Sequence, residues 1–292
     1  MVIELQRMKY IMFTLFFTVG PYLERSVLTN TLPAGQRPVT GVTVLFDQVF
    51  VVRYKTRDME VYDSNTLNLT SLLPVDGLVD PQDLTSCSKF RCLYIVDWAE
   101  GDLIHRVELS GATTRWKETD APSGLSVTPD PDFHVLVTYS DARKLKEFTT
   151  NGTFIREILL QEGLAKPHHA IHFDGQFIVS HGWNSGPLHR VCIVNSTGHA
   201  TRCYGGPPGS AAGQLNVPAH LAVDGEGNVL VADYNNERVL VLNKTLNFVG
   251  ELVSSHNGDR SGLQPARLCL NISRGRLFLA DLSQKDVLVF KV

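Results

Sequence analysis

One pattern returns along the chain at nearly constant spacing. A short apolar run ends at Arg53 (FVVRY), Asp97 (YIVDW), Thr138 (LVTYS), Ser180 (FIVSH), Asp233 (LVADY) and Asp281 (FLADL), so the six copies lie 44, 41, 42, 53 and 48 residues apart. Each copy shares an internal grammar. An opening run often follows a proline, as in PQDL at Pro81, PSGLSV at Pro122, PHHAIHF at Pro167, PAHLAV at Pro218 and PARLCL at Pro265. A tight turn leads into the aligned run, a third run follows (DMEVYD, LIHRVEL, KLKEFTT, LHRVCIV, RVLVLN, DVLVF), and a fourth closes the unit, as at 154–159 and 248–253.

Four short strands in a unit of this length make the meander of one propeller blade, and repeats of about 40–50 residues are typical of such blades. The runs are continuously apolar rather than alternating, as expected of sheets covered on both faces by their neighbours. No stretch of helical period competes. The fold expected is all-β, a six-bladed β-propeller of four-stranded antiparallel blades over residues 22–292, forming a single domain. The last copy stops at Val292 after its third run, while residues 22–32 (YLERSVLTNTL) are strand-like and unassigned. The expectation is that this N-terminal strand completes the last blade and closes the ring, which removes an open sheet edge.

Composition narrows the partners. Hydrophobic content of 43% and charged content of 20% suit a packed domain, and the net charge of −3 argues against a nucleic-acid binder. No apolar run reaches the roughly 18 residues of a membrane-spanning helix. Residues 10–19 (YIMFTLFFTV), preceded by Arg7 and Lys9, have the length of a signal-peptide core, although Pro21 directly after Gly20 spoils the cleavage pattern. Residues 1–21 therefore read as a signal peptide or as a disordered leader.

Sequons at Asn68, Asn151, Asn195, Asn243 and Asn271 are candidate glycosylation sites, the first four between the third and fourth strands of their blades. Asn is also favoured in hairpin turns for its own sake. Of five cysteines, Cys87 and Cys92 flank a hairpin loop, and Cys192 and Cys203 face each other across strands three and four. Both pairs are candidate disulfides, with Cys269 left over. Together these features favour a secreted or extracellular protein, with a cytoplasmic one as the alternative.

The fifth copy, VDGEGNVLVADYNNERVLVLN preceded by GPPGSAAGQLNVP, resembles an NHL repeat of the six-bladed propeller type. LYIVDWAEGDLIHRVELSG is similar to the YWTD propellers of lipoprotein receptors, which share that plan. The repeated Asp97, Asp233 and Asp281 belong to the cadence and read as turn caps or ion pairs rather than a catalytic cluster. The more telling positions lie two residues after the opening proline, where first strands enter the channel: Gly41, Asp83, Gly124, His169, His220 and Arg267. Asp83, His169, His220 and Arg267 form a candidate ligand site at the channel mouth.

The NHL resemblance brings in the peptidyl-hydroxyglycine amidating lyases, whose Pro-His strand starts bind zinc through histidines of alternate blades. His169 and His220 match that motif locally, yet they stand on adjacent blades and Arg267 opposes a cation. Calcium of the lactonase type needs several axial oxygens, and only Asp83 offers them. The expectation is no catalytic set and no cofactor, with zinc or calcium as the exceptions. The reading is a monomeric, non-catalytic interaction propeller for a protein or small ligand. A metal-dependent enzyme of lyase or lactonase type and an intracellular tripartite-motif-like module binding protein or RNA are the alternatives.

Overall fold

The computed structural model describes residues 27–98, 102–128, 131–183, 186–255 and 260–292. The expected leader at 1–21, and residues 22–26 of the closing segment, lie outside the described residues. The strands follow the repeat grammar. Blade 1 is β2 (Val39–Leu45), β3 (Gln48–Arg53), β4 (Asp58–Asp63) and β5 (Leu69–Pro74), and blade 2 is β6 (Pro81–Cys87), β7 (Cys92–Asp97), β8 (Leu103–Glu108) and β9 (Thr113–Lys117). Blade 3 is β10 (Gly124–Val127), β11 (Val135–Tyr139), β12 (Lys144–Phe148) and β13 (Phe154–Leu159), and blade 4 is β14 (Pro167–Phe173), β15 (Gln176–His181), β16 (His189–Val194) and β17 (Ala200–Gly206). Blade 5 is β18 (Pro218–Val223), β19 (Val229–Asp233), β20 (Arg238–Leu242) and β21 (Phe248–Ser254). Blade 6 takes β22 (Pro265–Asn271), β23 (Arg276–Asp281) and β24 (Asp286–Lys291), and β1 (Val27–Leu32) pairs antiparallel with β24 as its outer strand. The ring is closed by its first strand, as the sequence implies.

The continuous apolar runs have a simple cause. In β19 all five residues are buried, and alternate side chains serve different neighbours. Val229 and Val231 pack with Ile178 and Val191 of blade 4, whereas Leu230 and Ala232 pack with Leu277 and Leu279 of blade 6. Strand β7 divides likewise, Leu93 and Ile95 toward blade 1 and Tyr94 and Val96 toward blade 3. The core is thus a set of inter-blade layers rather than one centre.

Because strands alternate in direction, the propeller has two unlike faces. The mouth, where first strands begin, carries the blade-to-blade connections and the loops between second and third strands. The opposite face carries the other hairpins, and all five sequons lie there. Asn68, Asn151, Asn195 and Asn243 sit between third and fourth strands, while Asn271 ends β22, is only 7% exposed, and accepts a hydrogen bond from Ser273 Oγ.

Cys192 on β16 and Cys203 on β17 are directly opposite and disulfide-bonded. The expected second bridge is corrected: Cys87 and Cys92 face each other in register but are free, buried thiols. The Cys92 thiol donates instead to Tyr94 Oη at 3.5 Å, and that hydroxyl donates to Thr150 O. Burial pushes the Cys92 thiol up and Cys269 to about 11, so both stay protonated.

Leu32 is the one fully buried residue of the closing strand, 1% exposed between Val39, Val287 and their neighbours. Leu32→Ala should lose about 2–4 kcal/mol in chemical denaturation. Deleting residues 22–34 should abolish the cooperative thermal transition. An unchanged melt would show that blade 6 does not need its fourth strand.

Candidate functional site

The site is built on a ring of pins. At the end of each second strand a buried side chain holds the connection that arrives from the preceding blade. Asp97 accepts from the amides of Val79 (3.0 Å) and Asp80 (2.7 Å), Asp233 from Asn216 N (2.7 Å), and Asp281 from Gln264 N (3.1 Å). Arg53 inverts the polarity and donates to the carbonyls of Pro33, Arg37 and Lys285. In blades 3 and 4 the strand register puts the pin one residue beyond the sequence alignment, at Tyr139 and His181 rather than Thr138 and Ser180. Neither residue is acidic, so the apolar cadence alone does not reveal the register. Tyr139 donates to Glu118 Oε2 (2.7 Å), and His181 Nε2 accepts from Arg190, which also donates to Gly163 O. The three repeated aspartates are therefore caps and ion pairs, Asp233 with Arg238 and Asp281 with Arg260.

The four candidate ligand residues do converge on the axis. In five blades a register shift separates the opening residue, a proline except for Val39 in blade 1, from the residue two places on. That shift directs the third residue to the axis. Arg267 Nε donates to Asp83 Oδ1 at 3.0 Å and its NH2 to Gln82 O at 2.7 Å, linking blade 6 to blade 2. The other carboxylate oxygen accepts from Leu125 N at 2.8 Å. His169 and His220 stack with centroids 3.8 Å apart, His169 Nε2 reaches Leu125 O, and His220 Nδ1 accepts from Leu268 N. Burial lowers the pKa of both imidazoles, with Arg267 adding to the effect. The two remaining positions are glycines for lack of room: a Cβ on Gly41 would lie 2.6 Å from Leu84 Cβ, and one on Gly124 2.6 Å from His168 O.

This cluster is a plug. Asp83, His169 and His220 present donor atoms within 4.8 Å of one another, the spacing of a metal site. The chemistry of the set does not fit a dication. The guanidinium of Arg267 already neutralises Asp83, and the ring nitrogen of His220 that carries the lone pair is taken by a backbone amide. The His169 Nδ1 atom is left buried without a partner, and one free imidazole nitrogen is not a metal site.

Above the plug lies a feature that the proline register does not point to. An open bowl of ≈ 740 Å³ is lined by two tiers drawn from all six blades. The lower tier is the residue next to each opening proline or Val39, namely Thr40, Gln82, Ser123, His168, Ala219 and Ala266. The upper tier follows the pins: Tyr54, Trp98, Ser140, Trp183, Tyr234 and Leu282. Trp98 and Trp183 are 49% and 47% exposed, unusual for indoles on a folded surface. The sequence signal was present as an aromatic directly after the pin in FVVRY, YIVDW and LVADY.

No family model matches this chain. Among solved structures it is similar to hydrazine synthase of Kuenenia stuttgartiensis, at 15% identity and a TM-score of 0.64 over 91% of this chain and 99% of that one. It is similar to the Cps50 (Swd1) β-propeller domain of Myceliophteria thermophila, at 13% identity and TM-score 0.64 over 92% and 100%. It is also similar to a streptogramin B lyase, at 12% identity and TM-score 0.63 over 89% and 96%. At such identities these likenesses show the β-propeller fold alone. Among the described residues no helix is long and apolar enough to cross a membrane.

Arg267→Met, which leaves the Asp83 carboxylate buried and short of a partner, should destabilise by about 3 kcal/mol, and adding Asp83→Asn should recover part of the loss. Equimolar zinc should leave the wild-type melting temperature unchanged, and a zinc-dependent rise would restore the metal reading. Burial holds His181 down to about 4, so the unfolded chain protonates near its ordinary 6.5 while the folded chain does not. Stability should thus fall as pH drops from about 6.5 to 4, and His181→Asn should lose less over that window than wild type.

Proposed function

We propose that this chain is a non-catalytic propeller of the NHL type that binds a protein or small ligand at its mouth, in the secretory or extracellular space. The observation that carries the reading is the open bowl with two half-exposed tryptophans, on the face that bears no sequon. Exposed aromatic surface rimmed by polar groups marks binding sites. The plug beneath it supports binding over chemistry, because its acid, bases and guanidinium are engaged with one another and with backbone. Glycans on Asn68, Asn151, Asn195 and Asn243 would project from the opposite face and leave the mouth clear. The Cys192–Cys203 bridge is compatible with an oxidising compartment.

The test uses the full chain secreted from a eukaryotic host, labelled and titrated onto intact cells and extracellular matrix. Saturable binding should fall about tenfold or more in Ala219→Trp, which fills the bowl, and persist in Phe46→Asp on the opposite face. Glycosidase treatment should reduce the mass at the four hairpin sequons. Absent binding, or binding lost only in Phe46→Asp, would contradict the reading, as would an unglycosylated protein retained in the cell.

A further inference from the structure

The bowl has a shape that its residue tiers make explicit. Blade order follows chain order around the ring, so blade 1 stands opposite blade 4, blade 2 opposite blade 5 and blade 3 opposite blade 6. The upper-tier aromatics fall on the first two of these opposed pairs: Tyr54 and Trp98 on blades 1 and 2 face Trp183 and Tyr234 on blades 4 and 5. Blades 3 and 6 carry Ser140 and Leu282 at that level, over Ser123 and Ala266. Among the described residues the mouth is therefore a slot with two aromatic walls, running from blade 3 to blade 6.

Two of the four wall aromatics have their polar edges committed inside the protein. Trp98 Nε1 donates to Pro122 O at 2.5 Å, and Tyr234 Oη donates to Gln264 Oε1 at 3.1 Å. His168 packs against Trp183 at 5.1 Å, its Nε2 held by Gly182 O. Trp98 and Trp183 leave about half of their surface exposed, ring area suited to stacking.

The lower tier has the complementary polarity. Ser123 Oγ donates to Thr138 O (3.0 Å), Thr40 Oγ1 to Val52 O (3.4 Å), and Gln82 Nε2 to Asp80 Oδ1 (2.9 Å). Each spends its donor on the protein and keeps oxygen lone pairs for a ligand, so the floor asks for hydroxyl or amide donors. Among the described ion pairs none involves Asp102, so its carboxylate adds a further acceptor to the lining. Arg267 is paired with Asp83, and Lys166 with Asp141. Both cations that line the bowl are thus paired, and the one further ammonium beside a described wall residue, Lys55, lies over the Tyr54 ring at 5.0 Å.

We infer that the mouth is a binding slot for a neutral oligosaccharide, laid from blade 3 to blade 6 with its pyranose rings between the aromatic walls. The inference rests on the reading that the mouth binds. A sugar ring carries apolar C–H faces and an equatorial rim of hydroxyl donors, the two features the slot is complementary to. The volume lies in the range that encloses most of a small ligand, which suits a short saccharide segment.

The test is a tryptophan-fluorescence titration of the full chain with maltohexaose, cellohexaose, xylohexaose and chitohexaose, backed by a printed array of neutral glycans. Heparin hexasaccharide and octalysine are the charged comparisons. The expected result is saturable binding of a neutral glycan that is indifferent to salt between about 50 and 500 mM. Trp98→Ala or Trp183→Ala should each weaken it about tenfold, while Trp98→Phe, which keeps a ring, weakens it less. The inference is overturned if no neutral glycan binds, or if a charged probe binds with steep salt dependence. A charged probe displaced by Ala219→Trp would sink the ligand class and keep the mouth as the site. Binding of any probe that ignores Ala219→Trp would sink the mouth itself.

Discussion

At the end of the second strand of every blade a buried side chain leaves its sheet and seizes the connection arriving from the blade before. Asp97, Asp233 and Asp281 do this with carboxylates, Arg53 with a guanidinium, Tyr139 through Glu118 and His181 through Arg190. A propeller blade buries both faces but leaves its incoming connection with backbone groups that no strand satisfies. The pin supplies those partners in a dry setting, where a charged hydrogen bond contributes about 1.5–3 kcal/mol and an orphaned amide is costly. Six different connections are thereby held at a common height. The mouth inherits its shape from that ring, because its upper tier is the residue next to each pin, or two places on in the case of Trp183.

The axis shows how the same economy closes the channel. Asp83, Arg267, His169 and His220 come from four blades, and each satisfies another or a backbone group of a fifth. Taken one at a time they look like catalytic residues. Together they neutralise one another, with the imidazoles held uncharged by burial. The plug adjoins the bowl, whose lining includes Arg267.

Most of the fold was legible because it is written six times. The proline-led first strand, the apolar runs shared between two inter-blade layers and the strand borrowed from the N-terminal side all follow from pattern. The convergence of Asp83, His169, His220 and Arg267 was legible too, since a register two residues after the proline maps to one height on the axis. Their mutual satisfaction was not, because Arg267 on blade 6 reaches Asp83 on blade 2 over a sequence separation of 184 and no local spacing encodes it. The pins of blades 3 and 4 were misplaced by one residue for a related reason: Tyr139 and His181 do the work of an aspartate without its chemistry. Cys87 and Cys92 misled in the opposite way, since facing registers permit a bridge but the Cys92 thiol is engaged by Tyr94. The bowl is not encoded by the repeat register, because it belongs to positions that flank the aligned ones.

The pins are the constraint that shapes the mouth. Native-state hydrogen exchange at the amides of Val79, Asp80, Asn216 and Gln264 tests this most directly, since all four lie in connections outside any strand. If the pins hold the connections, these amides should exchange only through large-scale unfolding, with protection close to that of the central strands. Exchange at the rate of ordinary surface loops would contradict the account.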